Sequence, residues 1–156
     1  MNKLILEQLS HIEADRDVRI LYAVESGSRA WGFASRNSDY DVRFVYIHKP
    51  EWYLSIRDRR DVFEQPIDND IDISGWDLRK ALVLFSRSNP PLLEWLNSPI
   101  IYKDNFGLAR KLRELLAQTF YPQRCLYHYF HMAQRNYREQ FKKEVVRDIE
   151  IINLPF

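Results

Sequence analysis

The chain has 156 residues and a formal net charge of +1, long enough for one domain that buries roughly 68–70% of its unfolded surface and too evenly balanced for a global field that would select a partner. Its single cysteine, Cys125, excludes an internal disulfide, and its apolar runs, such as residues 20–24 and 81–85, are far too short to span a bilayer. No charged-then-apolar leader follows Met1, so the expectation is a cytoplasmic protein without membrane contact.

Ile5, Leu9 and Ile12 recur at steps of four and three with Leu6 beside them, which predicts a short amphipathic helix. Residues 18–24 are apolar apart from Arg19 and read as a strand covered on both faces, ended by a turn at Gly27. Residues 40–47 form a second β-rich run and 62–64 a weak third. The turn-like "IDND" at 67–70 leads into another strand at 71–74. Residues 78–85 read as a helix; "SNPPLLEWLNSP" stops it and begins another, with Pro91 suited to a first helical turn. Residues 105–120 and 123–146 are long helical patterns separated by Pro122. The expected class is α/β (α+β), a mixed front followed by an all-helical back.

Asp-x-Asp alone carries little weight, since twelve aspartates give about one such pair by chance. Four occur: Asp15/Asp17, Asp39/Asp41, Asp68/Asp70 and Asp70/Asp72. Asp39 and Asp41 open the second strand, where side chains two apart share a face at roughly 6.6–6.8 Å. Asp72 lies between Ile71 and Ile73; facing away from them, it must be solvated, paired or metal-bound. If the two strands are neighbours, three carboxylates converge, and two such charges about 4 Å apart repel by about 1–4 kcal/mol. A divalent cation removes that repulsion, and oxygen-only ligation suits magnesium or manganese. Gly27 and Ser28, between a strand and a helix start, leave backbone N–H groups free for an anion. Metal and phosphate cradle together are the equipment of nucleotidyl or phosphoryl transfer. Each part also has a plainer reading. Gly-Ser alone is more often an ordinary turn, Asp39/Asp41 a solvated strand edge, and Asp72 alone is evenly divided. Their order and spacing carry the functional reading. Arg43 shares the strand face of Asp39 and Asp41, to reach a triphosphate or to pair with a carboxylate.

"GSRAWGFASRNSDYDVRF", followed by "DIDISGWDLRKALVLFSRSNPPLLEWLNSP", resembles the DNA polymerase β nucleotidyltransferase superfamily, most closely its bacterial and phage branch, some of whose members are associated with RNA ligases. The resemblance covers residues 18–99, with looser similarity to about residue 146. It implies a nucleotidyltransferase core over 1–102, a mixed sheet with flanking helices, followed by a C-terminal helical region over 103–156. It also implies a metal-dependent enzyme that moves an NMP group from an NTP to an acceptor hydroxyl. Gly27 and Ser28 would hold the phosphates, with Arg29 beside them. Asp39 and Asp41 would bind both metals, Mg2+ or Mn2+, and Asp72 would complete the site and help activate the acceptor. The implied partners are a nucleoside triphosphate, RNA and, by family association alone, an RNA ligase. Asn89 and Glu94 match the family's "NPP-x-x-E" stretch, which helix capping explains nearly as well. Trp31, Trp76 and Trp95 are expected in the core.

In the last helical pattern Arg124, His128, His131, Arg135, Arg138 and Lys142 step by three and four residues and so share one face. Tyr127, Phe130, Gln134, Tyr137 and Phe141 form the next stripe round, a candidate packing side. A basic ridge beside aromatics suits a nucleic-acid backbone or a triphosphate, with a solvated face as the alternative. His128 and His131 lack a third nitrogen or sulfur ligand, which argues against zinc. The close "VVRDIEIINLPF" is unlike the family's basic helical continuation and reads either as a shortened relative or as a coding sequence cut and given a foreign tail. The alternative function is therefore a catalytically inactive or truncated nucleotide- or RNA-binding module.

Overall fold

The computed structural model describes residues 1–68 and 70–145, with side chains through residue 141. Its mixed α+β architecture runs α1 (Asn2–Arg16), β1 (Arg19–Glu25), β2 (Tyr40–Ile47), α2 (Pro50–Tyr53), β3 (Val62–Glu64), β4 (Ile71–Asp77), α3 (Leu78–Ser86), α4 (Pro90–Leu96), β5 (Ile101–Lys103), α5 (Leu108–Thr119) and α6 (Pro122–Val145). The five strands form one sheet in the order β3-β4-β2-β1-β5. β2 and β4 run parallel, and the other neighbours are antiparallel.

The two faces of the sheet follow from the two-residue period of its strands. Val42, Phe44 and Tyr46 of β2 and Ile71 and Ile73 of β4 join Ile5, Leu9 and Ile12 of α1 in one core. Tyr22, Val24 and Val45 join residues of α3, α4 and α5 in a second core on the other face. β1 serves both because its register slips between Ile20 and Tyr22, the extra residue of a bulge redirecting the side chains that follow. Tyr22 then reaches across to donate a hydrogen bond to the Trp95 carbonyl at 2.7 Å, and burial pushes its phenol pKa well above the usual range.

α1 presents its spaced apolar residues as expected, while Leu6 stays exposed. At the end of β4 the buried Asp77 caps α3, accepting from the Arg79 N–H at 2.8 Å and from the Tyr53 hydroxyl at 2.5 Å. Asn89 caps α4 through a bond from the Leu92 N–H at 3.2 Å, with Pro90 and Pro91 in the first turn. Capping therefore accounts for Asn89. Trp76 and Trp95 stack at 3.9 Å inside the second core. Trp31 departs from the core expectation: it is 58% exposed, because it sits in the turn after β1 rather than on an element that faces the core. α2 and β5, too short to show a period, carry no sequence signal. The two helical patterns part where expected, at residues 120–121, and Pro122 is the first residue of α6, since a residue without an N–H loses nothing in a first helical turn.

Residues Met1–Phe120 form one compact unit that includes α5, and α6 belongs to a second. Among the described residues, no helix is long and apolar enough to cross a membrane.

Candidate active site

Parallel pairing sets Asp41 of β2 directly beside Asp72 of β4. Both lie on the face of the α3–α5 core, at the strand ends where the helices no longer cover the sheet, and both are half-buried. Arg43, two residues along the same face, spans them. Its Nη2 donates to Asp41 Oδ1 at 3.1 Å and to Asp72 Oδ2 at 2.6 Å, and its Nη1 donates to the Asp72 carbonyl at 3.0 Å. Charge-assisted bonds of this kind hold two like charges together that would otherwise repel. Of the two sequence readings of Arg43, the structure forms the carboxylate pair.

Behind Asp41 stands a residue that the sequence reading missed. Glu25, the last residue of β1, is fully buried. Its Oε1 accepts from the Asp41 N–H at 2.7 Å and its Oε2 from the Tyr102 hydroxyl at 2.5 Å. Its carbonyl accepts from the Ser98 hydroxyl at 2.5 Å, and the Ser26 N–H donates to the Asp41 carbonyl at 2.8 Å. The start of β2 is thus tied to β1, to β5 and to the segment after α4. Burial raises the Asp41 pKa; Arg43 opposes the rise, while Glu25, Asp72 and Asp39 add to it. Burial and the bond to Glu25 hold the Tyr102 phenol protonated far above its usual range.

Gly27 follows two residues after Glu25 and is pressed against the same carboxylate. A β-carbon on Gly27 would lie 1.7 Å from Asp41 Oδ2, so the position admits only glycine in this packing. The segment after it is not the expected helix. Residues 27–33 are hydrogen-bonded turns, with the Ala30 N–H to the Gly27 carbonyl at 2.9 Å and the Phe33 N–H to the Ser28 carbonyl at 3.1 Å. Gly32, in the left-handed region at φ 79°, ends the turn before a helix can propagate. No hydrogen bond among the described residues uses the N–H groups of Gly27, Ser28 or Arg29, which leaves three consecutive donors in the turn that begins against Asp41.

Arg29 forms no ion pair with Asp41 or Asp72 among the described residues. It donates to the carbonyls of Ser38 at 2.6 Å and Asp39 at 3.2 Å and lies over the Tyr40 ring at 3.8 Å, stapling the turn to the entry of β2. Asp39, one residue ahead of β2, is exposed. The strands therefore bring Asp41 and Asp72 together, with Asp39 close enough to act on Asp41 through its charge. Among the described residues, no three or more His, Cys, Asp or Glu side chains are gathered as a ready metal-holding group. The donor chemistry, carboxylate oxygens side by side on neighbouring strands, is of the kind that suits a hard cation, and Gly27 leaves the room that the Asp41 carboxylate fills.

Arg124, His128, His131, Arg135 and Arg138 all lie on the regular helix α6 and are exposed. Lys142 is within α6, but its side chain lies outside the described residues. The neighbouring stripe lies on the same helix. Tyr127, Phe130, Tyr137 and Phe141 are each at least 47% exposed, and Tyr137 stacks on Phe141 at 4.4 Å.

A five-stranded mixed sheet that sets a Gly-Ser turn against one of two adjacent strand carboxylates has the plan of a polymerase-β-like nucleotidyltransferase. A model of the RNA repair pathway DNA polymerase beta family, RlaP, matches residues 1–152, and the chain belongs to that family. It is 53% identical over 147 residues to the uncharacterized protein YcgL of Bacillus subtilis (strain 168), an overlap of 94% of this chain and 56% of YcgL. The chain thus spans little more than half the length of that relative. No solved structure matches it.

Proposed function

We propose that the chain is a metal-dependent nucleotidyltransferase that moves an NMP group from a nucleoside triphosphate to an acceptor hydroxyl. The observation that carries this reading is the seating of Asp41 Oδ2 against Gly27, beside Asp72. It supports the reading because the turn with three unused N–H donors begins against one of two adjacent carboxylates. Asp41 and Asp72, with Asp39, would hold magnesium or manganese, which when bound neutralises phosphate charge and lowers the acceptor's pKa. The N–H groups of Gly27, Ser28 and Arg29 take the triphosphate oxygens. Arg43 keeps the two carboxylates in register. The acceptor oxygen bonds to the α-phosphorus as the bond to the bridging oxygen breaks and pyrophosphate leaves. Asp72 accepts the hydroxyl proton at Oδ1, because Oδ2 is held by Arg43.

The test is transfer from an α-labelled nucleoside triphosphate to total RNA, to protein and to small hydroxyl acceptors. Asp41→Asn should abolish it with the fold intact; an unchanged rate in that variant removes this mechanism. A second reading, a nucleotide- or RNA-binding module, is favoured by the exposed basic and aromatic stripes of α6. The RNA-repair family favours RNA, as the acceptor in the first reading and as the bound partner in the second.

A further inference from the structure

The other face of the sheet carries a second concavity. α1 covers that face over β1 and the near part of β2, but its last turn stops short of α2 and β3. The gap is a cavity of about 360 Å3, within the range of small-molecule sites. It lies opposite the carboxylates, because Phe44 and Tyr46 of β2, with His48 just after the strand, alternate with Arg43 and Val45.

Five of the lining side chains are rings that touch one another in an unbroken series. Phe63 meets Phe44 at 5.5 Å, Phe44 meets Tyr46 at 5.6 Å, Tyr46 meets His48 at 5.4 Å, and His48 stacks on Trp52 at 4.0 Å and 9°. Phe44 and Tyr46 form the buried floor of the series, and the half-buried Phe63, His48 and Trp52 offer ring faces and edges to another flat ring. Burial pushes the His48 pKa down and the Tyr46 pKa up, so at neutral pH the wall is uncharged. The rim is not. Arg16, Arg60 and Glu64 stand in its lining, Arg60 paired with Glu64, and the Arg16 guanidinium lies 5.6 Å from the Phe63 ring. Arg16 is engaged by Asp15 at 3.0 Å, with both side chains about 60% exposed. An ion pair so exposed is worth little and yields readily to a phosphate.

We propose that this cavity binds a flat heteroaromatic ring bearing a negative group, the chemistry of a nucleoside monophosphate, with the ring against the aromatic wall and the anion at Arg16. The site is separate from the carboxylates and would make the sheet a two-sided nucleotide binder. It does not depend on the proposed transfer reaction.

Indole N–H resonances of the 15N-labelled full chain test it, with Trp52 and Trp31 assigned by Trp52→Phe and Trp31→Phe. AMP should shift the Trp52 resonance saturably, whereas adenosine and ribose 5-phosphate, each lacking half of the required chemistry, should bind about ten-fold more weakly or not at all. Arg16→Ala, at an exposed position, should weaken AMP about ten-fold while leaving adenosine unchanged. Phe63→Leu, which keeps apolar bulk against Phe44, should also weaken AMP. The Asp41→Asn/Asp72→Asn protein should bind as the wild type does. Trp31 lies in the turn after Gly27, so nucleotide in the carboxylate site reports there instead. A Trp52 resonance unmoved by AMP overturns the proposal. So does equal affinity in Arg16→Ala, or a Trp52 response that disappears with the two aspartates.

Discussion

Asp41 Oδ2 occupies the space in which a side chain on Gly27 would begin, 1.7 Å from where its β-carbon would sit. The Gly-Ser turn and the strand aspartate are therefore one packed unit, and the glycine is required by close approach, not by a left-handed backbone.

Gly27→Ala should act through that close approach. The added methyl must push the Asp41 carboxylate out of line with Asp72 or move the turn, overpacking that costs about 1–3 kcal/mol of stability. A displacement of about 1 Å at reacting groups lowers a rate on the order of 10²-fold. Thermal melts and label transfer measured together check this; full activity in a well-folded alanine variant would show that the tight seating is dispensable.

Glu25 and Tyr102 make a second prediction. Tyr102→Phe leaves Glu25 Oε2, in a fully buried side chain, without its hydroxyl donor, at a cost of about 1–3 kcal/mol in a denaturant titration. Glu25→Gln keeps the shape and the acceptor for the Asp41 N–H but removes one of the charges that raise the Asp41 pKa. The Asp41 pKa then falls, and the acid limb of the pH–rate profile should move to lower pH. A purely structural Glu25 would lower the rate without moving the limb.

That Asp41 and Arg43 share a face, and that Asp72 points away from its isoleucines, is readable from a period of two on single strands; which partner Arg43 takes is not. Adjacency of those strands follows only from the folded sheet. Glu25 is hidden in the sequence because a glutamate after an apolar run looks like an exposed strand end. Its burial is arranged by Tyr102, 77 residues on, and Ser98, 73 residues on. The turn after Gly27 reads as a helix because its composition allows one; Gly32 at φ 79° ends it, a backbone choice that composition does not encode. Trp31 shows the same limit, since an apolar side chain is buried only if its segment faces the core.

Asp41 also makes stability depend on pH. Its pKa is raised in the fold, chiefly by burial, so the folded state binds the proton more tightly than the unfolded chain does. That contribution is present in full below the ordinary carboxylate value of about 3.9 and is lost as pH rises through the folded pKa. Ionised Asp41 therefore costs stability at neutral pH. Asp41→Asn should melt higher than wild type at pH 7, by a margin that shrinks as pH falls and closes below about pH 4. Melting curves across that range decide it. A variant that is less stable at pH 7 would mean that losing the Arg43 pair outweighs the relief.

The α6 stripe yields a prediction that does not depend on catalysis. Arg135 and Arg138 are exposed on a regular helix, so reversing both to Glu should leave stability within about 0.5 kcal/mol. If the stripe holds RNA, each arginine neutralises a phosphate and releases counterions. For a single strand the slope of log K against log salt changes by roughly 0.7 for each phosphate that is no longer neutralised. Arg135→Glu/Arg138→Glu should therefore weaken RNA binding most at low salt and flatten the slope by roughly 1.4. Filter binding at several salt concentrations measures both quantities. A lower affinity with an unchanged slope would place the aromatics Tyr137 and Phe141, stacked at 4.4 Å, against the RNA instead. Unchanged affinity and slope would return the stripe to a solvated face.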